Sequence, residues 1–241
     1  MPNIAAFFQR HKKVALSFSA GKDSAACLWL LQPWWGQLTV VWCDGGNPRE
    51  EALEYMLRIA KLVPHFNFIR GDQPGWTAKH GMPVDVLPFE LSYLGKLSSG
   101  NPGPLLCLSS DCCKANLWEP LHKFLQMEGF TGVIRGQRIT DKLKSPISSG
   151  TIVSGVEYFH PIDTWTDADV YTYLGDRIPE NYKRGLRSSL DCRNCTAYME
   201  EHKGLADDLE ASGDMESAAQ IRYIHKALKA ELLKIQAYLP I

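Results

Sequence analysis

The chain has 241 residues, a formal net charge of −1, 45% hydrophobic residues and 22% charged residues, which excludes a disordered or strongly basic protein. No overall charge calls for nucleic acid, so such a partner would need a local basic groove. No run approaches the ~20 apolar residues of a membrane span. The N-terminal MPNIAAFFQRHKK lacks the basic-first order and the cleavage site of a secretion signal, so a cytoplasmic protein away from membranes is expected. Seven cysteines, an odd number, read as metal binding rather than as a disulfide framework.

In chain order, KVALSF at residues 13–18 predicts a strand that stops at a small-residue loop, and residues 23–31 continue as a helix. LTVVWC at 38–43 is apolar and β-branched, as a strand buried on both faces should be, and it ends at Asp44-Gly45-Gly46. Residues 50–62 place Leu53, Met56, Leu57 and Ala60 at amphipathic-helix spacing. Residues 66–69 and 132–134 predict further strands, and Arg135-Gly136-Gln137-Arg138 follows the second. Between Gly71 and Pro104 the composition turns to Gly, Pro and Ser with weak periodicity, which predicts a long irregular excursion near the site. Thr166-Asp167-Ala168-Asp169 opens a helix with a capping-box pattern. Residues 177–190 read as a loop leading to Cys192.

From Lys203 two helices flank Ser212-Gly213-Asp214. In the second, running from about Met215 to Leu239, Ala219, Ile221, Ile224, Leu228, Leu232 and Ile235 fall mostly on one face, as core cover or a homodimer seam. Strands alternating with helices predict an α/β fold with a doubly wound, mainly parallel sheet, and a ligand beyond the carboxyl ends of its strands. The domain division expected is 1–200 for the nucleotide-binding α/β domain and 201–241 for a C-terminal helical extension.

Two constellations carry chemistry. SAGKDS at 19–24 lies between a strand and a helix, where backbone amides and the positive end of the helix dipole meet an anion. Ser17, Ser19 and Ser24 are candidate hydroxyl contacts, Gly21 allows close approach, and Lys22 and Asp23 open the helix. The loop is not a Walker motif. Asp44 and Gly45 would lie beside it, the carboxylate holding ribose or a phosphate-bound magnesium, or else forming a plain Asp-Gly turn. The second constellation is Cys112-Cys113 with Cys192 and Cys195, 79 positions beyond the pair. Soft thiolates suit iron–sulfur or zinc, and chemistry alone leaves both open.

SAGKDS resembles the PP-loop S-G-G-K-D-S of the adenine-nucleotide α-hydrolases, with Ala20 in place of one glycine. CCKANLWEPL, FHPIDTWTDADVYTYL and IPENYKRGLRSSLDCRNCT resemble the sulfonucleotide (phosphoadenylyl-sulfate and adenylyl-sulfate) reductase family within that superfamily, from about Val14 to Thr196. The resemblance implies a Rossmann-like fold, an adenine nucleotide as ligand, and a 4Fe–4S cluster on Cys112, Cys113, Cys192 and Cys195. Arg138 stands where the family has the arginine of G-x-R and is expected to bind phosphate or sulfate, with Arg135 and Lys142 as alternatives. His160-Pro161 and Trp165 match the family's H-P-x-x-x-W and read as mostly structural. Cys27 and Cys43 read as small core residues.

Two departures bear on activity. The family's reductases attack with a C-terminal cysteine, yet no cysteine follows Cys195. Lys22 stands where they usually carry an acid, as in ATP-using relatives: ATP sulfurylase, tRNA thiolation enzymes and the ATP-hydrolysing component of DNA phosphorothioation. The resemblance therefore implies an enzyme using ATP with Mg2+ and a 4Fe–4S cluster in sulfur chemistry. Adenylation would fall on an acceptor, a nucleic acid or a sulfur carrier among the partners. The alternatives are a reductase with a non-standard nucleophile such as Cys107, and a noncatalytic nucleotide or redox sensor.

Overall fold

Short apolar runs separated by helix-length segments become parallel strands, because each helix carries the chain back to start the next strand alongside. The computed structural model describes residues 3–101, 103–141, 145–189, 191–237 and 239. Its strands are β1 (Val14–Ser17), β2 (Leu38–Asp44), β3 (Phe66–Arg70), β4 (Met82–Val84), β5 (Leu106–Leu108), β6 (Gly132–Ile134), β7 (Ile152–Val153) and β8 (Val156–Phe159). The helices are α1 (Ile4–Arg10), α2 (Lys22–Leu30), α3 (Glu50–Leu62), α4 (Gln73–His80), α5 (Tyr93–Ser99), α6 (Ser109–Cys113), α7 (Glu119–Met127), α8 (Asp167–Leu174), α9 (Glu180–Lys183), α10 (Leu205–Ala211) and α11 (Met215–Gln236).

The main sheet is six-stranded in the order β3-β2-β1-β6-β8-β7, parallel except for β7, which pairs antiparallel with β8. Alternate residues of each strand feed two cores. Leu16, Val40, Trp42, Ile134 and Phe159 pack with Phe7, Ala25, Leu28, Met56 and Val170 from α1, α2, α3 and α8. Ala15, Val41, Val133 and Tyr158 pack on the other face with Leu125 of α7 and with Phe130. Burial on both faces is why these strands read as apolar runs rather than alternating ones. Chain order reverses between β1 and β6, and that switch point is where open sheets of this type bind ligands.

Three expectations are corrected. Most of the stretch from Gly71 to Pro104 is built into α4, β4, a 3-10 turn (Phe89–Leu91) and α5. There β4 pairs parallel with β5, and Met82, Val84, Leu91 and Leu106 share a core with Ile224 and Leu228 of α11. Three-residue strands show no period, and the helix that covers them comes more than a hundred residues later. Residues 177–190, read as loop, contain α9. On α11 it is Ala218, not Ala219, that is buried with Ile221, Ile224 and Leu228, and Ile235 is exposed. The capping box at Thr166 and Asp169 is formed. Among the described residues no helix is long and apolar enough to cross a membrane.

Candidate functional site

Residues 18–21 turn from β1 into α2. Ala20 adopts a left-handed backbone, φ 57°, a region that costs a residue with a Cβ ~1–2 kcal/mol. Glycine would be unstrained there, which accounts physically for the glycine in the related loop. Gly21 caps α2 without any side-chain hydrogen bond, so no capping side chain stands between the first-turn amides and an incoming anion. Ser24 Oγ donates to the Gly21 carbonyl at 2.9 Å and accepts from the Ser19 amide at 3.3 Å, fixing the loop's curvature. A Cβ at Gly21 would stand 3.3 Å from Ser19 Oγ and 3.4 Å from the Tyr182 hydroxyl. Ser17 ends β1 and is half-buried.

The G-x-R segment after β6 is packed onto this loop. A Cβ at Gly136 would lie 2.5 Å from the Asp23 carbonyl carbon, so the backbone there must be bare for α2 to start where it does. Arg138 and Lys22, both buried, belong to one charge network. Lys22 Nζ is 2.9 Å from Asp23 Oδ2 and 2.9 Å from Asp167 Oδ1. Arg138 meets Asp141 at 2.9 Å and Asp167 at 2.8 Å. It also pairs with Asp23 at 3.1 Å, out of line for a hydrogen bond, so Asp23 Oδ1 and Arg138 Nε lack hydrogen-bond partners. Burial raises the Asp23 carboxyl against the pull of Lys22 and Arg138. At Asp167 burial also acts upward, but Lys22 and Arg138 outweigh it and the carboxyl is lowered. Both cations expected to face phosphate are thus held by carboxylates; Lys142 lies outside the described residues.

The cysteines of the two distant segments meet. Cys112, Cys113, Cys192 and Cys195 line one small cavity together with Gln73, Asn116 and Tyr198. Cys112 and Cys113 end α6, and the next residues, Lys114–Trp118, form a π-helical turn, a distortion frequent at functional sites. Asn116 Nδ2 donates to the Cys112 carbonyl at 2.9 Å, and Tyr198 Oη lies 3.3 Å from Cys113 Sγ. Burial, then the neighbouring thiols, pushes Cys112 up to about 12. Burial likewise raises Cys195 to about 12, against a hydrogen bond from Ala197.

Among the described residues no three His, Cys, Asp or Glu groups are gathered so as to hold one ion. A single tetrahedral ion needs its thiolates ~2.3 Å from one point, whereas a cluster takes one thiolate per iron. Four thiols brought by two segments to one cavity fit the cluster's donor set.

Asp44 Oδ1 accepts the Gly46 amide at 2.8 Å, so this carboxylate forms the Asp-Gly turn. A Cβ at Gly45 would stand 3.3 Å from Cys192 Sγ, which puts Gly45 against the cysteine cavity. Asp191, adjoining Cys192, is pushed up to about 7 by burial, against the hydrogen bond donated by the Ser189 hydroxyl. Cys27 is core, Cys43 is half-buried, and Trp165 packs on the α2 core and on Tyr173. Sequence reasoning passed over Asp167, Asp141, Tyr182, Asn116, Tyr198 and Asp191. Only Asp167 carried a signal, as part of the helix cap.

Architecture and site define a doubly wound α/β protein with an anion-ready loop after its first strand and a four-thiol cavity. The phosphoadenosine phosphosulfate reductase domain model matches residues 13–198, and the chain belongs to that family. No curated protein matches the sequence.

Among solved structures, phosphoadenylyl-sulfate reductase from Candida auris, in a phosphate complex, is similar at 15% identity, covering 73% of this chain and 80% of that one, with a TM-score of 0.49. A U34-tRNA thiolase, NcsA, from Methanococcus maripaludis with its 4Fe–4S cluster is similar at 15% identity, covering 91% and 71%, TM-score 0.43. The NH3-dependent NAD synthetase of Campylobacter jejuni, in complex with nitrate, is similar at 16% identity, covering 98% and 94%, TM-score 0.47.

Proposed function

We propose that this chain is a PP-loop enzyme that binds ATP or a related adenine nucleotide on residues 19–24 and holds a 4Fe–4S cluster on Cys112, Cys113, Cys192 and Cys195. The observation that carries the reading is the shared cavity: thiols 79 positions apart in sequence line one space, and that space adjoins Gly45 at the end of β2. The cluster would supply a site for sulfur binding or redox chemistry.

The chain's own residues then have these roles. The amides of the loop and the α2 N-terminus bind the phosphates, with Mg2+ accompanying them, and Ser19 and Ser24 hold the curvature. Lys22 and Arg138 exchange Asp167 for phosphate oxygens as charge enters the site. The adenylation reading follows from Lys22: a cation beside the loop favours the extra charge of β- and γ-phosphates, so that an acceptor oxygen attacks the α-phosphate and pyrophosphate leaves. The acceptor is a nucleic acid or a sulfur carrier. Cys107 is a poor reductase nucleophile, because it is buried, its thiol donates to the Gly81 carbonyl at 3.2 Å, and burial raises its pKa.

Purification without oxygen, with absorption, iron and sulfide measured, tests the metal half. A broad band near ~400 nm with about four irons and four sulfides per chain is expected for a cluster held by four cysteine thiolates, and zinc or no metal refutes it. Pyrophosphate release from ATP tests the other half. Failure with every nucleic-acid and sulfur-carrier acceptor offered refutes adenylation.

A further inference from the structure

We infer that Ser17, Arg135 and His160 form a second site, for a tetrahedral oxyanion of the sulfate or phosphate type, on the α7 face of the switch point between β1 and β6. The strand register places them. Ala15 is level with Val133, and Val133 with Tyr158, and all three point into the α7-side core. One two-residue step further along the same face brings Ser17, Arg135 and His160 level across three parallel strands. The ladder persists at this level, since the Arg135 amide donates to the Phe159 carbonyl at 3.0 Å. Arg138, three residues on, is instead part of the carboxylate network around α2. The two arginines flanking Gly136 thus have opposite surroundings.

Among the described residues Arg135 has no counter-charge within ion-pair distance. Its guanidinium takes part in none of the ion pairs or side-chain hydrogen bonds among the described residues, and the one charged-state neighbour acting on it is the weakly acidic Tyr158. The residue is half-buried, and that burial lowers its pKa. Beside it His160 is buried, and its Nε2 has no hydrogen-bond partner. The imidazole is lowered to about 4 by burial and by Arg135, against the opposing pull of Asp163, so at neutral pH it is an uncharged ring able to donate one hydrogen bond. A planar guanidinium fork, an imidazole N–H and a serine hydroxyl in a row match the oxygens of a sulfate or phosphate group. An anion there would supply the counter-charge that Arg135 lacks. The inference is separate from the nucleotide reading: any anion taken up by the loop at residues 19–24 adds a second binding event to the titrations below, and comparing S24A with R135Q tells the two sites apart.

The test uses the full chain in chloride buffer, titrated with sodium sulfate and, separately, sodium phosphate at constant ionic strength, read by calorimetry and thermal unfolding. Saturable binding is expected, weakened at least tenfold in R135Q, weakened less in R135K and in H160N, and retained in S24A, which disturbs the phosphate loop instead. The anion that binds more tightly identifies the group. R135Q should be at least as stable as the parent in chloride, because a half-buried charge with no ion-pair partner among the described residues has gone. Three results overturn the inference: R135Q and R135K that bind both anions like the parent; binding lost in S24A and kept in R135Q; or a linear, unsaturating rise in stability common to all variants, the signature of salt exclusion.

Discussion

Gly136→Ala is the substitution whose consequence can be worked most directly from the geometry. The added Cβ would stand 2.5 Å from the Asp23 carbonyl carbon, 2.7 Å from its oxygen and 2.7 Å from the Ser24 amide nitrogen, where ordinary contact begins at 3.4 Å. All three atoms are backbone of the first turn of α2, so no side chain can rotate away. The helix cannot slide freely either, because Ala25, Ala26, Cys27 and Leu28 are fully buried in the core beneath it. The segment after β6 and the start of α2 must therefore separate by most of an ångström.

Overpacking of this kind costs ~1–3 kcal/mol. In a chain of this size each kcal/mol lowers Tm by ~2–4 °C, so a fall of about 2–12 °C is expected. The same displacement moves the Lys22 and Asp23 amides that would face phosphate, and ATP affinity should drop at least tenfold. Urea unfolding and calorimetry with ATP measure the two effects. Gly36→Ala is the control, since a Cβ there meets nothing within 4 Å. A G136A protein as stable as G36A, with unchanged ATP affinity, would refute the claim that bare backbone at Gly136 sets the loop.

Ala20→Gly should be neutral or up to about 1 kcal/mol stabilising, because relief of the left-handed strain exceeds or balances the added freedom of the unfolded chain; urea unfolding showing a loss above ~1 kcal/mol would contradict the strained loop. His160 gives a pH dependence of known sign. Its pKa is about 4 when folded, below the ordinary 6.5, so as pH falls below 6.5 the unfolded chain takes a proton that the folded one refuses. Stability is then lost between pH 6.5 and 4, by up to ~3 kcal/mol, and is unaffected above that window. Denaturant titrations of the parent and H160N across pH 4–8 should show a slope in this window that is shallower in the variant; equal slopes exclude His160 as the source. Cys192→Ser should abolish stoichiometric iron after anaerobic purification, while Cys27→Ser, in the core beneath α2, should retain it. Iron kept in C192S would remove that cysteine from the ligand set.

What could be read from the residues follows their range of interaction. The strands β1, β2 and β6 were legible because both faces are buried and their composition says so locally, whereas β7 and β8 were not. The loop after β1 was legible because anion binding at a strand-to-helix turn uses consecutive residues. The cysteine set needed a family resemblance, since no local rule joins Cys113 to Cys192. The small β4–β5 pair was illegible because three-residue strands have no measurable period and their covering helix is α11. The charge network was hidden for another reason. Asp167 reads as a helix cap from its neighbours, and only the packing of α8 against α2 brings it to Lys22 and Arg138.

The stretch 188–195 joins the two halves of the site. Ser189 faces Gly21 in the phosphate loop, its hydroxyl donates to Asp191 at 3.0 Å, and Cys192 abuts Gly45 and lines the thiol cavity. Asn181, on α9, ties the start of this stretch down by donating to the Ser188 carbonyl at 2.7 Å. Ser189 thus touches the loop and Cys192 the thiol cavity, and the Asp191 carboxylate beside Cys192 is bonded to Ser189. If Cys192 ligates a cluster and the loop at Gly21 binds phosphate, as proposed, the Ser189–Asp191 hydrogen bond links the two, and each event is expected to be felt at the other.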